Sequence, residues 1–224
     1  MIDYVLIRSK RKTVGLYVRD GFLEVRAPLI MPKRDIDRIV ASKETWIKDK
    51  LAKSGEQAQR RENFTLDYGD LVTYLGKQYP ITAKAGDRVG FDDECFYMPP
   101  NLSQEQVKHA CVQIYRLLAK RDLTNKVIDF AEQMSVTPIA VKINGAKNRW
   151  GSCSNKKSLN FSWRLIMADE DVVDYVVIHE LAHITEMNHS EKFWIIVENI
   201  LPDYKGRQKR LKDMQHRLNG ENWE

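Results

Sequence analysis

Short apolar runs with β-branched or alternating character mark the first thirty positions of the chain. They cover residues 4–7, 13–18 and 23–27, and β-branched residues and a period of two are typical of strands. Arg19-Asp20-Gly21 lies between the last two runs and predicts a hairpin turn, because Asp-Gly tolerates positive φ. These positions are therefore predicted to form a small sheet.

The period then becomes helical. Between Pro32 and about Lys53, apolar residues recur three or four positions apart, which predicts an amphipathic helix. The stretch Ser54–Asn63 is polar and aperiodic and predicts a loop or linker. Two or three further strands are expected across Leu71–Met98.

The second half is mainly helical. A long helix is predicted over residues 103–134, where Ser103 and Gln106 fit a capping box. Strands are expected at 139–143, near 149–150 and at 159–163. Helices follow at about 171–186, 190–200 and 204–218. A β-rich part followed by helices with a small sheet predicts an α+β fold, divided into a β-rich region over 1–100 with one helix and a helical core over 101–224.

Composition narrows the classes of protein. The 224 residues contain no apolar run near the ~20 residues of a membrane span, and the first residues lack the layout of a secretory signal, so we expect a cytoplasmic location and no membrane partner. Three cysteines are an odd, sparse set that argues against a disulfide framework, and the lack of a Cys-x-x-Cys pair argues against a thiolate zinc site. The net charge of +5 is modest, but basic residues gather near the C-terminus, where they form either a solvated helix face or a surface that contacts phosphate: Lys205, Arg207, Lys209, Arg210, Lys212 and Arg217.

The strongest chemical signal is His179-Glu180-Leu181-Ala182-His183. Two histidines four positions apart project from one face of a helix, so both imidazoles can reach one tetrahedral zinc ion (Zn²⁺). Glu180 lies at the flank of that face, where it could take a proton from a zinc-bound water that then attacks a carbonyl. The apolar run Val172–Ile178 would hold these side chains rigidly.

A catalytic zinc usually has three protein ligands and one open position. His189, six residues after His183, is the best candidate for the third, if the chain turns back at Asn188. Glu186 is the alternative, because it shares the helical face of His183, and Cys153 is a weaker one.

The segment Asn148–Cys153 places several polar side chains around Trp150. It is either a structural turn or a strand beside the site, whose edge could pair with an extended peptide. In the second case Arg149 could stabilise an oxyanion or bind a carboxylate or phosphate.

These residues resemble the YgjP-like family of predicted zinc metallopeptidases, which is related to the SprT-like group. The resemblance rests on 149–153, 160–165, 174–183, 188–190 and 193–194, with weaker likeness at 8–13 and 46–47. It implies a minimal zincin-like catalytic core in 101–224, with His179, His183 and His189 as metal ligands and Glu180 as the catalytic residue. Metzincins have a glycine between the second and third ligands, and Glu186 stands there in this chain.

Three functions are therefore open. The first is a zinc metallopeptidase acting on a peptide or protein. The second, which the resemblance also implies, is a metal-dependent nucleotide phosphoanhydride hydrolase (a nucleoside triphosphate pyrophosphatase), with Arg149, Arg164 and the C-terminal cations binding phosphate. The third is a DNA-associated SprT-like protease, which would need those C-terminal cations to contact nucleic acid.

Overall fold

A computed structural model describes residues 2–19 and 21–223, and it confirms the α+β class. In that part of the chain there are three small sheets, six α-helices and one 3₁₀ helix. The strands are β1 (Val5–Ser9), β2 (Gly15–Arg19), β3 (Phe22–Pro28), β4 (Leu71–Tyr74), β5 (Lys77–Ala83), β6 (Gly90–Phe91), β7 (Phe96–Met98), β8 (Ala140–Asn144), β9 (Gly151–Cys153) and β10 (Ser158–Ser162). The α-helices are α1 (Lys33–Ser42), α2 (Glu44–Glu62), α3 (Gln104–Gln133), α4 (Glu170–Ala182), α5 (Glu191–Ile200) and α6 (Tyr204–Leu218), and the 3₁₀ helix is Trp163–Met167.

The first sheet has the strand order β1-β3-β2, with β3 parallel to β1 and antiparallel to β2. Alternate residues of β3 point into a core that α1 and α2 complete with Ile36, Val40 and Ile47. The three predicted strands are thus confirmed. Asp20 of the predicted hairpin turn lies outside the described residues, while Gly21 next to it has φ of +80°.

The predicted loop over Ser54–Asn63 is wrong, because α2 continues to Glu62. A short break at Lys43 also divides the expected single helix into α1 and α2. Glu, Gln, Ala and Arg dominate residues 56–62, and these are strong helix formers. These residues show no apolar periodicity because this part of the helix buries no face, and not because the helix has ended.

The long helix α3 begins where the capping box predicts. Ser103 Oγ accepts from the Gln106 backbone N–H at 3.3 Å, and the Gln106 side chain accepts from the Ser103 N–H at 2.8 Å. Helix α3 packs against α4, against β8 and against the 3₁₀ helix. It therefore forms the support on which the C-terminal elements are arranged.

The sheet beside α4 has the strand order β8-β10-β9. Strand β10 is parallel to β8 and antiparallel to β9, so β8 and β9 are its two edges. Strand β9 packs against α4, and α4 packs against α5. This arrangement places one sheet edge next to the helix that carries His179 and Glu180.

The described residues gather into two compact units. One contains 2–19, 21–64 and 218–222, and the other contains 65–217 and 223. The division at residue 100, which was drawn from the sequence, stays a prediction. None of the described helices combines the length and apolar character that crossing a membrane requires.

Ion pairs join α6 to the start of α4. Arg210 contacts Asp169 at 3.1 Å and also pairs with Asp171, and Arg207 donates to the Asp171 carbonyl at 2.9 Å. Arg207 also pairs with Asp203 at 3.0 Å. Two of the C-terminal cations are therefore engaged within the fold.

Replacing Asp171 by Asn should weaken the fold at pH 7 by at most about 1 kcal/mol, because this pair is partly exposed. The hydrogen bond from Arg210 lowers the pKa of Asp171 below its usual value. The stabilisation is therefore present above pH ~4 and is lost as the pH falls through the lowered pKa. Urea denaturation at a series of pH values from 7 downwards should show that the difference between the wild type and Asp171→Asn shrinks below pH ~4, whereas Asp129→Asn on α3 should leave stability unchanged at every pH. A difference that does not shrink as the pH falls would show another cause.

Candidate metal centre

Helix α4 supplies the first two histidines. Its apolar residues Val172–Ile178 are largely buried, which fixes the rotation of the helix. The helix ends at Ala182, and His183 is its C-cap with helical φ and ψ, so His179 and His183 still share one face. The predicted extension to Glu186 is replaced by a tight turn in which the Glu186 N–H donates to the Ala182 carbonyl at 2.9 Å.

That turn brings His189 back to the other two histidines. One ring nitrogen from each of His179, His183 and His189 lies within 4.8 Å of the other two. The Nε2 atoms of His179 and His189 are 3.0 Å apart. Glu186 and Cys153 are outside this group, although both were considered as third ligands.

The backbone of the same turn orients His183. The ring Nδ1 of His183 lies 3.1 Å from the Glu186 carbonyl oxygen. Because a carbonyl only accepts, Nδ1 carries the proton and Nε2 keeps its lone pair. A hydrogen bond of this kind sets the tautomer of a metal-ligating histidine in many proteins.

Aromatic rings pack around the three imidazoles. The ring centroid of Phe193 lies 4.9, 4.5 and 4.7 Å from the ring centroids of His179, His183 and His189. Trp194 stacks on His189 with 5.8 Å between the ring centroids, and it also stacks on Tyr204 with 5.2 Å between the centroids. This packing limits the rotamers of His189, which is otherwise exposed.

Two of the three imidazoles are held neutral at pH 7. Burial, followed by the proximity of the other two histidines, lowers the pKa of His179 to about 3. Burial also lowers the pKa of His183. A neutral imidazole with a free lone pair is the form that binds a metal ion.

Glu180 lies beside this group, against strand β9. Only 6% of the residue is exposed, and its Oε2 is buried with no hydrogen-bond partner. A Cβ on Gly151 would lie 2.6 Å from Cγ and from Oε1 of Glu180. The missing side chain at position 151 thus provides the space that the Glu180 carboxyl group occupies.

Burial raises the pKa of Glu180 to about 7, and the positive charge of Arg149 acts in the opposite direction. A divalent cation next to the carboxylate would lower that pKa further. Glu180 is thus a buried carboxyl group whose ionised form gains from a nearby positive charge. Together with three histidine nitrogens directed at one point, this donor set fits a divalent metal ion.

Other residues considered from the sequence have different positions. Arg164 is buried, donates to the Gly145 carbonyl at 2.8 Å and lies 4.4 Å from the Trp163 ring centroid. Cys153 lies on β9, where burial and then the charge of Glu180 raise the pKa of its thiol. The space at Gly151 and the carbonyl of Glu186 were not foreseen. Their only signals were a Gly in the segment Asn148–Cys153, which the sequence left open as a turn or a strand, and a Glu where metzincins have Gly.

The profile of the family described as "YgjP-like, metallopeptidase domain" matches residues 12–214. Among solved structures, the chain is similar to the metallopeptidase zymogen abylysin of Pyrococcus abyssi, with 20% identity and a TM-score of 0.39 over 45% of this chain and 97% of that chain. It is also similar to the metallopeptidase zymogen jannalysin of Methanocaldococcus jannaschii, with 26% identity and a TM-score of 0.37 over 42% of this chain and 95% of that chain. No curated protein matches the sequence.

The family profile covers most of the chain and includes every residue of the histidine group and Glu180. A metallopeptidase is a hydrolytic enzyme that depends on a divalent metal ion. The chain belongs to the YgjP-like metallopeptidase family.

Proposed function

We propose that this metallopeptidase is a zinc enzyme in which His179, His183 and His189 hold the metal and Glu180 is the general base. The observation that carries the proposal is the convergence of three imidazoles beside a buried carboxyl group. Three histidines and an open fourth position are typical of catalytic zinc sites. Imidazole ligands also favour zinc over magnesium or calcium, which prefer oxygen.

When zinc is bound, it polarises a peptide carbonyl and lowers the pKa of water. Glu180 is the group of this chain that moves protons. Its unpartnered Oε2 accepts one proton from the attacking water as the C–O bond forms, and then passes a proton to the amine nitrogen as the C–N bond breaks. The positive charge of Arg149 acts against the effect of burial on the pKa of Glu180 and so favours the ionised form that accepts a proton.

Strand β9 would align the peptide. It pairs with β10 on one side only, and in the described chain no strand pairs with its other edge. Gly151 at its start touches Glu180, so a peptide added along β9 would pass beside the carboxyl group. Strand addition of this kind holds an extended backbone by main-chain hydrogen bonds.

The nucleotide and DNA-associated alternatives receive less support from the positions of the cations. Arg164 is buried and bonded to a carbonyl, and Arg207 and Arg210 are paired with acidic residues of the fold. Arg149 is the one predicted phosphate ligand that acts on Glu180. We therefore favour peptide hydrolysis.

The metal assignment is tested by zinc binding. Purified wild-type protein, stripped with a chelator and reloaded, should bind close to one zinc ion per chain and recover cleavage of a peptide library. His189→Ala should weaken zinc binding by more than the ~10–100-fold that loss of an outer hydrogen bond costs, because it removes a direct ligand.

His109→Ala, which replaces an exposed histidine of α3, is the matched control and should bind zinc like the wild type. Equal zinc affinity in the His189 and His109 variants would remove His189 from the ligand set. Zinc binding without cleavage of any peptide would support the metal site but refute the proposed reaction.

A further inference from the structure

A groove of about 760 Å³ lies between α3 and β8, in the same compact unit as the histidine group but at the opposite edge of the small sheet. We call it the α3–β8 groove. Its volume is within the range of ~300–1,000 Å³ that ligand sites have. The lining residues used below are Val89, Arg116, Leu117, Lys120 and 141–143.

Much of the lining is apolar. Val89, Val141 and Ile143 are half-buried, and Leu117 of α3 is 63% exposed. Exposed apolar side chains that are gathered in one concave surface are typical of interaction sites, whereas scattered ones are not. No aromatic residue lines this groove, so it lacks a surface on which nucleic-acid bases could stack.

Three cations lie among these apolar residues. Arg116, Lys120 and Lys142 are exposed, and none of them has an acidic partner within 4.0 Å among residues 2–19 and 21–223. Arg116 and Lys120 are four positions apart on α3, where like charges repel across one turn. This arrangement costs stability in the free protein, and an acidic ligand would offset that cost.

The third wall is the free edge of β8. Strand β8 pairs with β10 only. Among residues 2–19 and 21–223, no other backbone group bonds to the backbone N–H and C=O groups of 141–143 that point away from β10. Side chains alternate in a strand, so Val141 and Ile143 share one face and Lys142 points to the other. All three residues line the groove although their side chains point to opposite faces of the sheet, so the groove lies along the edge of β8 rather than over one face.

We propose that the α3–β8 groove binds an extended protein segment in which apolar and acidic residues alternate, added as a strand to the free edge of β8. Its apolar side chains pack beside Val141 and Ile143, and its acidic side chains lie beside Lys142 as cross-strand neighbours. Acidic residues at its ends pair with Arg116 and Lys120. The groove is thus a second binding surface, separate from the edge at β9, through which a partner protein with such a segment is held.

The test uses fluorescence anisotropy with the labelled peptide Glu-Val-Glu-Val-Asp-Val-Glu, checked to be intact after each titration. We expect saturable binding that weakens with added salt. Replacement of every acidic residue by Lys should abolish it, and N-methylation of alternate backbone nitrogens should weaken it about ten-fold or more, because the methyl groups remove strand hydrogen bonds.

Charge reversal on the protein gives the matched comparison. Lys142→Glu should weaken binding about ten-fold and should gain affinity for the Lys peptide, whereas Lys212→Glu, at an exposed position of α6, should change neither. Leu117→Asp should weaken binding to a similar extent. Thermal melting of each variant is the control for folding, and these substitutions at exposed positions should leave the melting temperature close to that of the wild type.

Three results would overturn the proposal: no binding at millimolar peptide, equal loss of binding in the Lys142 and Lys212 variants, or tighter binding of single-stranded DNA than of the acidic peptide. The readout is binding in the groove and not hydrolysis. Its outcome is therefore independent of whether the proposed zinc chemistry is correct.

Discussion

Glu180→Gln is expected to lower peptide hydrolysis by about 100-fold or more while zinc content and substrate affinity change little. The amide has the size of the carboxyl group, so it still fits against Gly151. It cannot accept the proton that Oε2 would take from the attacking water. The loss should therefore appear in kcat rather than in KM.

This variant should also fold well. Burial raises the pKa of Glu180 to about 7, because a buried site disfavours the charged form of a carboxyl group. A neutral amide removes that unfavourable burial, so the melting temperature of the metal-free variant should equal or exceed that of the wild type. A loss of activity accompanied by a higher melting temperature cannot be attributed to unfolding.

Glu198→Gln is the matched control, because it makes the same chemical change at an exposed position of α5. The measurements are kcat and KM on a peptide substrate and zinc per chain by elemental analysis. If the Glu180 variant keeps more than about a tenth of the wild-type kcat, another group is the base. If its zinc content falls in parallel with activity, Glu180 acts on the metal rather than on the water.

Helix α4 and its histidines could be predicted because their signals are local. Two histidines one turn apart on an apolar helix fix their own geometry once the helix forms. The capping box at Ser103 is local in the same way. The approach of His189 needed one further step, a turn after the helix, and the structure has that turn next to Ala182.

Features that depend on a distant partner were not predictable. Gly151 reads as an ordinary strand glycine until β9 is placed against Glu180, 29 positions further along the chain. Arg164 was expected near phosphate, but its neighbours Gly145 and Trp163 engage it in the interior. A basic residue in the sequence shows charge, and only the fold shows whether that charge has a partner.

The same reasoning explains the wrong loop in α2. Periodicity detects a helix by the face that it buries, and residues 54–62 bury almost nothing. Intrinsic propensity was the better guide there, because good helix formers continue to Glu62. Exposed helices are therefore the elements that pattern analysis misses.

Gly151→Ala should reduce kcat about 100-fold, although the substitution adds one methyl group. The added Cβ would lie 2.6 Å from Cγ and Oε1 and 2.8 Å from Cδ of Glu180, well inside ordinary contact distance. The φ of Gly151 lies outside the left-handed region, so the alanine backbone is unstrained and the effect is steric. The carboxyl group must move, and a displacement of about 1 Å at a reacting group costs this much in rate.

Gly206→Ala on α6 is the control, because a Cβ there meets no atom within 4 Å. It should leave kcat, KM and zinc content unchanged. Gly151→Ala should also keep its zinc, because the three atoms nearest to the added Cβ all belong to Glu180 and none to a histidine. Its KM should change less than its kcat. This split separates displacement of Glu180 from a general loosening of the site.

Shortening the displaced side chain gives the decisive comparison. Glu180→Asp retracts the carboxyl group and makes room for the methyl group that Gly151→Ala adds, so the double variant should be no slower than Glu180→Asp alone. The two substitutions are then strongly non-additive, as expected for residues in direct contact. Additive losses in this cycle would show that Gly151 affects the rate by another route, such as the backbone pairing of β9 with a peptide.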